Sequence, residues 1–373
     1  MSLLQRSCLV LLVCLPALAW PQKNPVPAAA PQLPQAASPS APQTPALTPR
    51  TVATPEKKKG PIYVDVVVTD KAGTPVSGLE LKGFTLLDNN QPGKILSFQA
   101  FGAGAQKANP PVEVILLVDT VNEPFQRVSI TRQQIVNFLL QNGGHLAEPV
   151  SIFVLTNKGV DAQNRPTYDG NGLAQDIKQL DNHLRTITAS AGFWGASERF
   201  QLSLQMFSNI AETEARKPGR KLLIWAGPGW PLFDNPRIEF TYKEQQQYFD
   251  ELVQLSAKLR EARISVYSVS LGQPNMGTFL YQDFLKGVKK PAKMNLANLG
   301  LKVFAVETGG RVVGPDNDMA AQIDKCVRDA GAYYTISFDP PRADHANEYH
   351  DLKMVVDNPA LTARTRTGYY NQP

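Results

Sequence analysis

Four short apolar runs, "VILLVD", "SIFVLTN", "KLLIWAG" and "ISVYSVSLG", recur through the middle of this 373-residue chain with amphipathic stretches between them. Runs that are apolar at consecutive positions read as strands buried on both faces. Between them, Val128, Ile135, Phe138 and Leu139 fall on one helical face, and Phe200, Leu204 and Phe207 on another. Tyr248, Leu252, Leu255, Leu259 and Ala262 recur at spacings of four and three, the clearest amphipathic helix in the chain. Alternation of buried strands with helices predicts an α/β fold with a doubly wound, mostly parallel sheet. "FAVETGGRVV" adds a helix that ends at Gly309–Gly310 and runs into a further strand. This α/β domain is expected over residues 111–332.

Both flanks read as β structure. In "IYVDVVVTD" strict alternation puts Ile62, Val64, Val66 and Val68 on one face. "FTLLD" and "KILSFQAF" flank the turn "NNQPG", which predicts a hairpin. The last stretch, 333–373, returns to strands with "YYTISFD", "YHDLKMVVD" and "ALTARTRTGYY". A segment of about forty residues cannot bury enough surface to fold alone. The N-terminal β unit, 60–110, is therefore expected to pack with the C-terminal strands as an accessory β unit.

The first nineteen residues read as an export signal: Arg6, the apolar run Cys8–Leu15, then "ALA" with cleavage expected after Ala19. The run is too short for a membrane span, which takes about 20 apolar residues. A lipoprotein signal is excluded because Val13 precedes Cys14 where a small residue is needed. Residues 20–59 contain ten prolines and eight alanines without apolar periodicity, the composition of a disordered, extended linker. The expectation is a secreted or periplasmic protein. Its mature form retains only Cys326, so it stands without an internal disulfide; that thiol, in "AAQIDKCVRDA", is expected to be buried.

Charge excludes one function class. The leader and linker account for the whole formal charge of +5, through Arg6 and a linker surplus of four. Residues 60–373 are thus net neutral, and nothing there offers the basic face that nucleic acid requires. "EKKKG" reads as part of the solvated linker.

The order of parts resembles the von Willebrand factor type A (VWA) fold, and more closely the exported VWFA-related family described from Acidobacteria. "VDVVVTDKAGTPVSGLELKGFTLLDNNQPGKILSF", "VEVILLVDT", "GRKLLIWAGPG", "VETGGRVV", "YYTISFDPP", "YHDLKMVV" and "ARTRTGYY" carry the resemblance, from residue 60 to 370. It implies a divalent-cation site in a D-x-S-x-S loop after the first strand, completed by a threonine and an aspartate from two other loops. Asp119 takes the Asp position, but Val121 and Glu123 replace the two serines. "AGPG" (226–229) stands where the aspartate belongs, and Ser197 in "GFWGASERF" is the best hydroxyl for the threonine loop. Mg²⁺ demands six oxygens in near-octahedral array. The remnant Asp119, Glu123 and Ser197 falls short, so no metal cofactor is expected. Asp119 is expected to accept N–H bonds from its own loop.

Catalytic signatures are absent: "GASER" lacks the closing glycine of a nucleophile elbow, and neither a zincin motif nor a P-loop occurs. "DHANEYHD" gathers His345, Glu348, His350 and Asp351 but reads as a polar turn entering a strand; "DND" (316–318) supplies a helix N-cap. "WAGPGWPLFDNPRIEF" puts Trp230, Leu232, Phe233 and Phe240 just past the fourth strand, at the ligand-facing edge of such a sheet. These aromatics read either as an exposed partner-binding surface or as a lid folded over the sheet edge. The functional expectation is a non-enzymatic interaction module for a protein or polysaccharide partner. A cation-dependent adhesion domain using Asp119 and Glu123 is the alternative, and a hydrolase with an unrecognised site the second.

Overall fold

The first apolar run of the α/β region forms strand β5 (Glu113–Asp119), every residue of which is buried. The structure is a computed structural model that describes residues 60–162, 165–180, 193–232, 240–272, 280–314 and 316–373. The expected signal peptide and linker lie outside these residues, as does Phe233.

In chain order the strands before β5 are β1 (Ile62–Thr69), β2 (Phe84–Asp88), β3 (Gln91–Pro92) and β4 (Ile95–Phe101). After it come β6 (His145–Thr156), β7 (Gly159–Ala162), β8 (Thr167–Asp169), β9 (Lys221–Ala226), β10 (Ile264–Val269) and β11 (Arg311–Val313). The C-terminal strands are β12 (Tyr333–Phe338), β13 (Glu348–Val356), β14 (Thr362–Arg364) and β15 (Gly368–Asn371). The α-helices are α1 (Phe125–Leu139), α2 (Gly170–Gln179), α3 (Phe193–Glu214), α4 (Tyr242–Glu261), α5 (Leu301–Glu307) and α6 (Met319–Val327).

The central sheet runs β11-β10-β9-β5-β6-β7, with β8 also on β6. Its five strands from β11 to β6 are parallel, and β7 and β8 join antiparallel at one edge. Period-two alternation sends Val114, Leu116 and Val118 to one face, where they pack with α1, α2 and α6. Ile115 and Leu117 go to the other, against α3, α4 and α5. This is the doubly wound sheet that the strand–helix alternation predicts. The order reverses between β5 and β9, so the switch point, where such sheets leave a crevice, lies at the C-terminal ends of those two strands.

Helix starts follow local chemistry. Thr241 caps α4 in a reciprocal capping box with Glu244. Asp318 caps α6 by accepting from the Ala321 N–H at 2.9 Å. Cys326, in α6, is fully buried, and burial pushes its thiol pKa up. Among the described residues no helix is long and apolar enough to cross a membrane.

The flanking strands form two antiparallel sheets, β14-β1-β12-β4 and β15-β13-β2-β3. β1 pairs with β12 from Ile62↔Phe338 to Val66↔Tyr334, so the N- and C-terminal strands share a sheet. Ile62, Val64, Val66, Phe84, Leu86, Ile336, Leu352 and Met354 share the core between the two sheets, making a small sandwich. The expected hairpin of "FTLLD" with "KILSFQAF" is not formed. β2 turns through Asn89 and Asn90, at φ of 48° and 62°, into the two-residue β3, and its other edge pairs with β13. β4 crosses to the opposite sheet and pairs with β12. Both strands carry one apolar face, and opposite sheets let those faces meet: Phe84 and Phe98 lie 5.2 Å apart, centroid to centroid.

Asp329 ties the sandwich to the α/β sheet. Fully buried, it accepts from Arg311 Nη2 (2.7 Å) of β11, Arg364 Nη2 (2.5 Å) of β14 and the Tyr267 hydroxyl (2.8 Å) of β10.

Candidate functional site

Asp119 is the last residue of β5 and stands at the switch point. It is fully buried, and its carboxylate is surrounded by donors. Oδ1 accepts from the backbone N–H groups of Val121 and Asn122, each at 3.0 Å. Oδ2 accepts from Asn122 Nδ2 and from the Trp225 indole Nε1–H, both at 2.9 Å. Parallel register sets the last contact: Leu117 lies opposite Trp225, so the two odd-numbered positions Asp119 and Trp225 share a sheet face. Burial is the largest influence on Asp119 and raises its pKa, while these hydrogen bonds oppose the rise.

The "AGPG" turn follows β9 and presses on the same carboxylate. A Cβ at Gly227 would sit 2.7 Å from Asp119 Cβ, so this stretch admits no side chain at that position. Gly229, at φ 77°, is likewise closed off by Leu301, 2.9 Å from where its Cβ would stand. Both positions exclude the second carboxylate that the VWA resemblance implies.

The other remnants are dispersed. Val121 is buried and offers no oxygen. Glu123 is buried and accepts from Thr131 Oγ1 of α1 at 3.3 Å. Burial first, then the Asp119 charge, pushes the Glu123 carboxyl up to about 7. Ser197 is half-buried in the first turns of α3; the α3 hydroxyl that reaches the loop is Ser203, which accepts from Asn122 Nδ2 at 3.0 Å. A divalent cation here would meet an indole N–H, two amide N–H groups and a carboxamide NH₂ where it needs oxygens. These residues do not fit Mg²⁺. No group of three His, Cys, Asp or Glu side chains among the described residues is placed to hold a metal ion.

His345, Glu348, His350 and Asp351 lie near one another, with Glu348 Oε1 3.6 Å from His350 Nε2, but they form no group placed to hold a metal ion. His350 is buried in the sandwich, with Nδ1 2.7 Å from Asp88 Oδ1, while Tyr369 donates to Asp88 Oδ2 at 2.6 Å. His345 and Asp351 point to solvent.

The aromatic stretch after β9 requires a correction. Trp230 is 5% exposed, so it cannot be part of an open binding surface. It packs edge-on to Trp225 at 5.3 Å and near Phe207 at 5.5 Å, and donates to the Leu299 carbonyl at 2.9 Å. Burying an indole whose N–H keeps a partner is strongly favourable, and α3, β9 and α5 leave it that slot. Leu232 and Phe240 are half-buried against the same core, Phe240 lying against Tyr248 at 5.4 Å.

Sequence reasoning found Asp119 but missed Trp225, Asn122 and Ser203 as its setting. The signal for Trp225 lay in the alternation of "KLLIWAG", which puts Leu223 and Trp225 on one face.

No protein-family model and no curated protein matches the chain. Solved structures with some likeness include proximal thread matrix protein 1 from the mussel byssus, at 11% identity and TM-score 0.32, covering 63% of this chain and 50% of that one. The human COPII-coat protein Sec24c matches at 9% identity and TM-score 0.34, over 70% of this chain and 44% of its own. The SpRpn10 VWA domain matches at 10% identity and TM-score 0.29, over 57% of this chain and 94% of that one. The chain thus spans half or less of the first two. Likenesses this distant carry no argument about function. Strand order and register by themselves show an α/β fold with a mostly parallel central sheet and antiparallel accessory sheets.

Proposed function

We propose that this chain is an exported, non-enzymatic, VWA-like interaction module that binds a protein or polysaccharide partner of the envelope or the extracellular space without a metal cofactor. The Acidobacterial VWFA-related family is the relative we infer for it. One observation carries the metal-independent part: the Asp119 carboxylate is already saturated by Val121, Asn122 and Trp225. A cation would have to displace hydrogen bonds from buried donors that have no other acceptor, which costs about 1–3 kcal/mol each.

A specific feature favours the cation-dependent alternative. Glu123 lies close enough to Asp119 for the Asp119 charge to raise its pKa, and a cation between two carboxylates relieves such repulsion. The test is partner capture from the envelope fraction of the source organism, run in EDTA and in millimolar Mg²⁺ or Mn²⁺, with wild type and Asp119→Asn. Equal recovery in all arms supports the proposal. Recovery that needs the cation and is lost in Asp119→Asn replaces it with the adhesion-site reading, and turnover of a captured partner would make the chain a hydrolase. N-terminal sequencing of the exported protein should start at Trp20.

A further inference from the structure

Three arginines converge where α4 and the foot of β10 meet the sandwich. Arg260, Arg263 and Arg366 line a small cavity of about 20 Å³, together with Asp65 of β1, Ser265 of β10 and Thr308. That is room for one water-sized particle. Charge is unbalanced around it. Arg263 is matched: it forks onto Asp65 through Nε (3.3 Å) and Nη2 (2.5 Å) and also reaches Thr335 Oγ1 at 3.0 Å. The Asp65 carboxylate accepts from Thr335 as well, at 2.8 Å, so it is largely spent.

Arg366 and Arg260 are not matched in this way. Arg366 is 7% exposed, and its Nη1 meets the Ser256 hydroxyl and carbonyl only at 3.5 Å. Among the described residues it forms no ion pair. Arg260 has the Glu261 carboxylate at 3.7 Å, and that side chain is 63% exposed, which makes the pair weak. Glu307 and, more weakly, Asp65 are the carboxyls that act on Arg366, but neither forms an ion pair or hydrogen bond with its guanidinium. Burial, then the neighbouring Arg260 charge, lowers Arg366 to about 10, so it remains cationic. A buried guanidinium favours an anion in direct contact; among the described residues no carboxylate stands within ion-pairing distance of Arg366, and Arg260 has only the exposed Glu261.

We propose that the cavity binds one small inorganic anion of chloride's size, held between Arg366 and Arg260 with the Ser265 hydroxyl on its wall. The sequence origin is the alternation in "TARTRT": Arg364 meets Asp329, while Arg366, two residues on, meets the cavity. The ion then joins α4 to the C-terminal strands and belongs to the folded state alone.

Thermal unfolding of the full chain at constant ionic strength, with sodium gluconate replaced stepwise by sodium chloride or bromide, tests this. The expected result is a saturating rise in Tm with halide, because a ligand that binds only the folded protein stabilises it. Arg366→Gln should remove the halide-dependent rise, and Arg260→Gln, at the more exposed wall, should weaken it if the first variant does not fold. A crystal grown in sodium bromide should show an anomalous peak between Arg366 and Arg260. A Tm indifferent to the choice of anion, or a crystal with only water in the cavity, overturns the proposal.

Discussion

Asp119→Ala separates a structural carboxylate from a metal ligand. The substitution removes the acceptor of three buried donors: the Val121 and Asn122 amides and the Trp225 indole. Each orphaned donor costs about 1–3 kcal/mol. Two effects offset this sum. Asn122 Nδ2 keeps Ser203 Oγ at 3.0 Å. Removing a carboxylate whose pKa burial has raised also returns part of its desolvation cost. The alanine Cβ still fills the contact against Gly227, so no large cavity opens. The net expectation is a loss of about 3 kcal/mol at pH 7. Urea unfolding followed by tryptophan fluorescence measures it, in EDTA and again in millimolar Mg²⁺, and the loss should be the same in both. Asp119→Asn should fall between wild type and alanine, since its Oδ1 still serves the two amides while its NH₂ confronts the Trp225 N–H. A loss under about 0.5 kcal/mol, or one that appears only with Mg²⁺, would refute the reasoning.

Two further outcomes follow from buried carboxyls. Glu123 titrates at 4.5 when unfolded and about 7 when folded, so the native state holds its proton longer. Its contribution is most favourable below pH 4.5 and declines as pH rises towards 7. A shift of about 2.5 units corresponds to about 3 kcal/mol. Glu123→Gln should flatten the fall in stability over that window, and an unchanged slope in pH-dependent urea melts would count against it. Asp329→Ala strands the Arg311 and Arg364 guanidiniums and the Tyr267 hydroxyl. Breaking a buried pair in this way costs about 3–5 kcal/mol, and hydrogen exchange should quicken first in β14; a loss within experimental error would show that the network is dispensable.

What the sequence by itself determined was whatever depends on neighbours along the chain. Consecutive apolar residues in "VILLVD" and "KLLIWAG" specify strands covered on both sides, and the 3–4 spacing from Leu252 to Ala262 specifies the face of α4. Asp318 caps its helix because a short acceptor side chain reaches the N–H three residues ahead. The absence of oxygen at Val121 and of any side chain at Gly227 and Gly229 was legible as composition, and it already argued against a complete cation site. Tertiary structure decided everything that depends on which strand lies beside which. Asp119 meets Trp225 because β5 and β9, about a hundred residues apart, share one parallel register. Ser203 rather than Ser197 reaches the loop because the placement of α3 on the sheet selects the turn that faces it. "FTLLD" and "KILSFQAF" part company because two apolar faces are better buried against each other across a sandwich than side by side in one sheet. Trp230 leaves the surface for a slot that exists only once α3, β9 and α5 are assembled. Arg366 and Asp329 acquire their surroundings only when the C-terminal strands dock. Patterns along the chain specify which faces are apolar. Which faces and charges then meet is set by long-range packing, because those contacts join residues whose separation along the sequence carries no local signal.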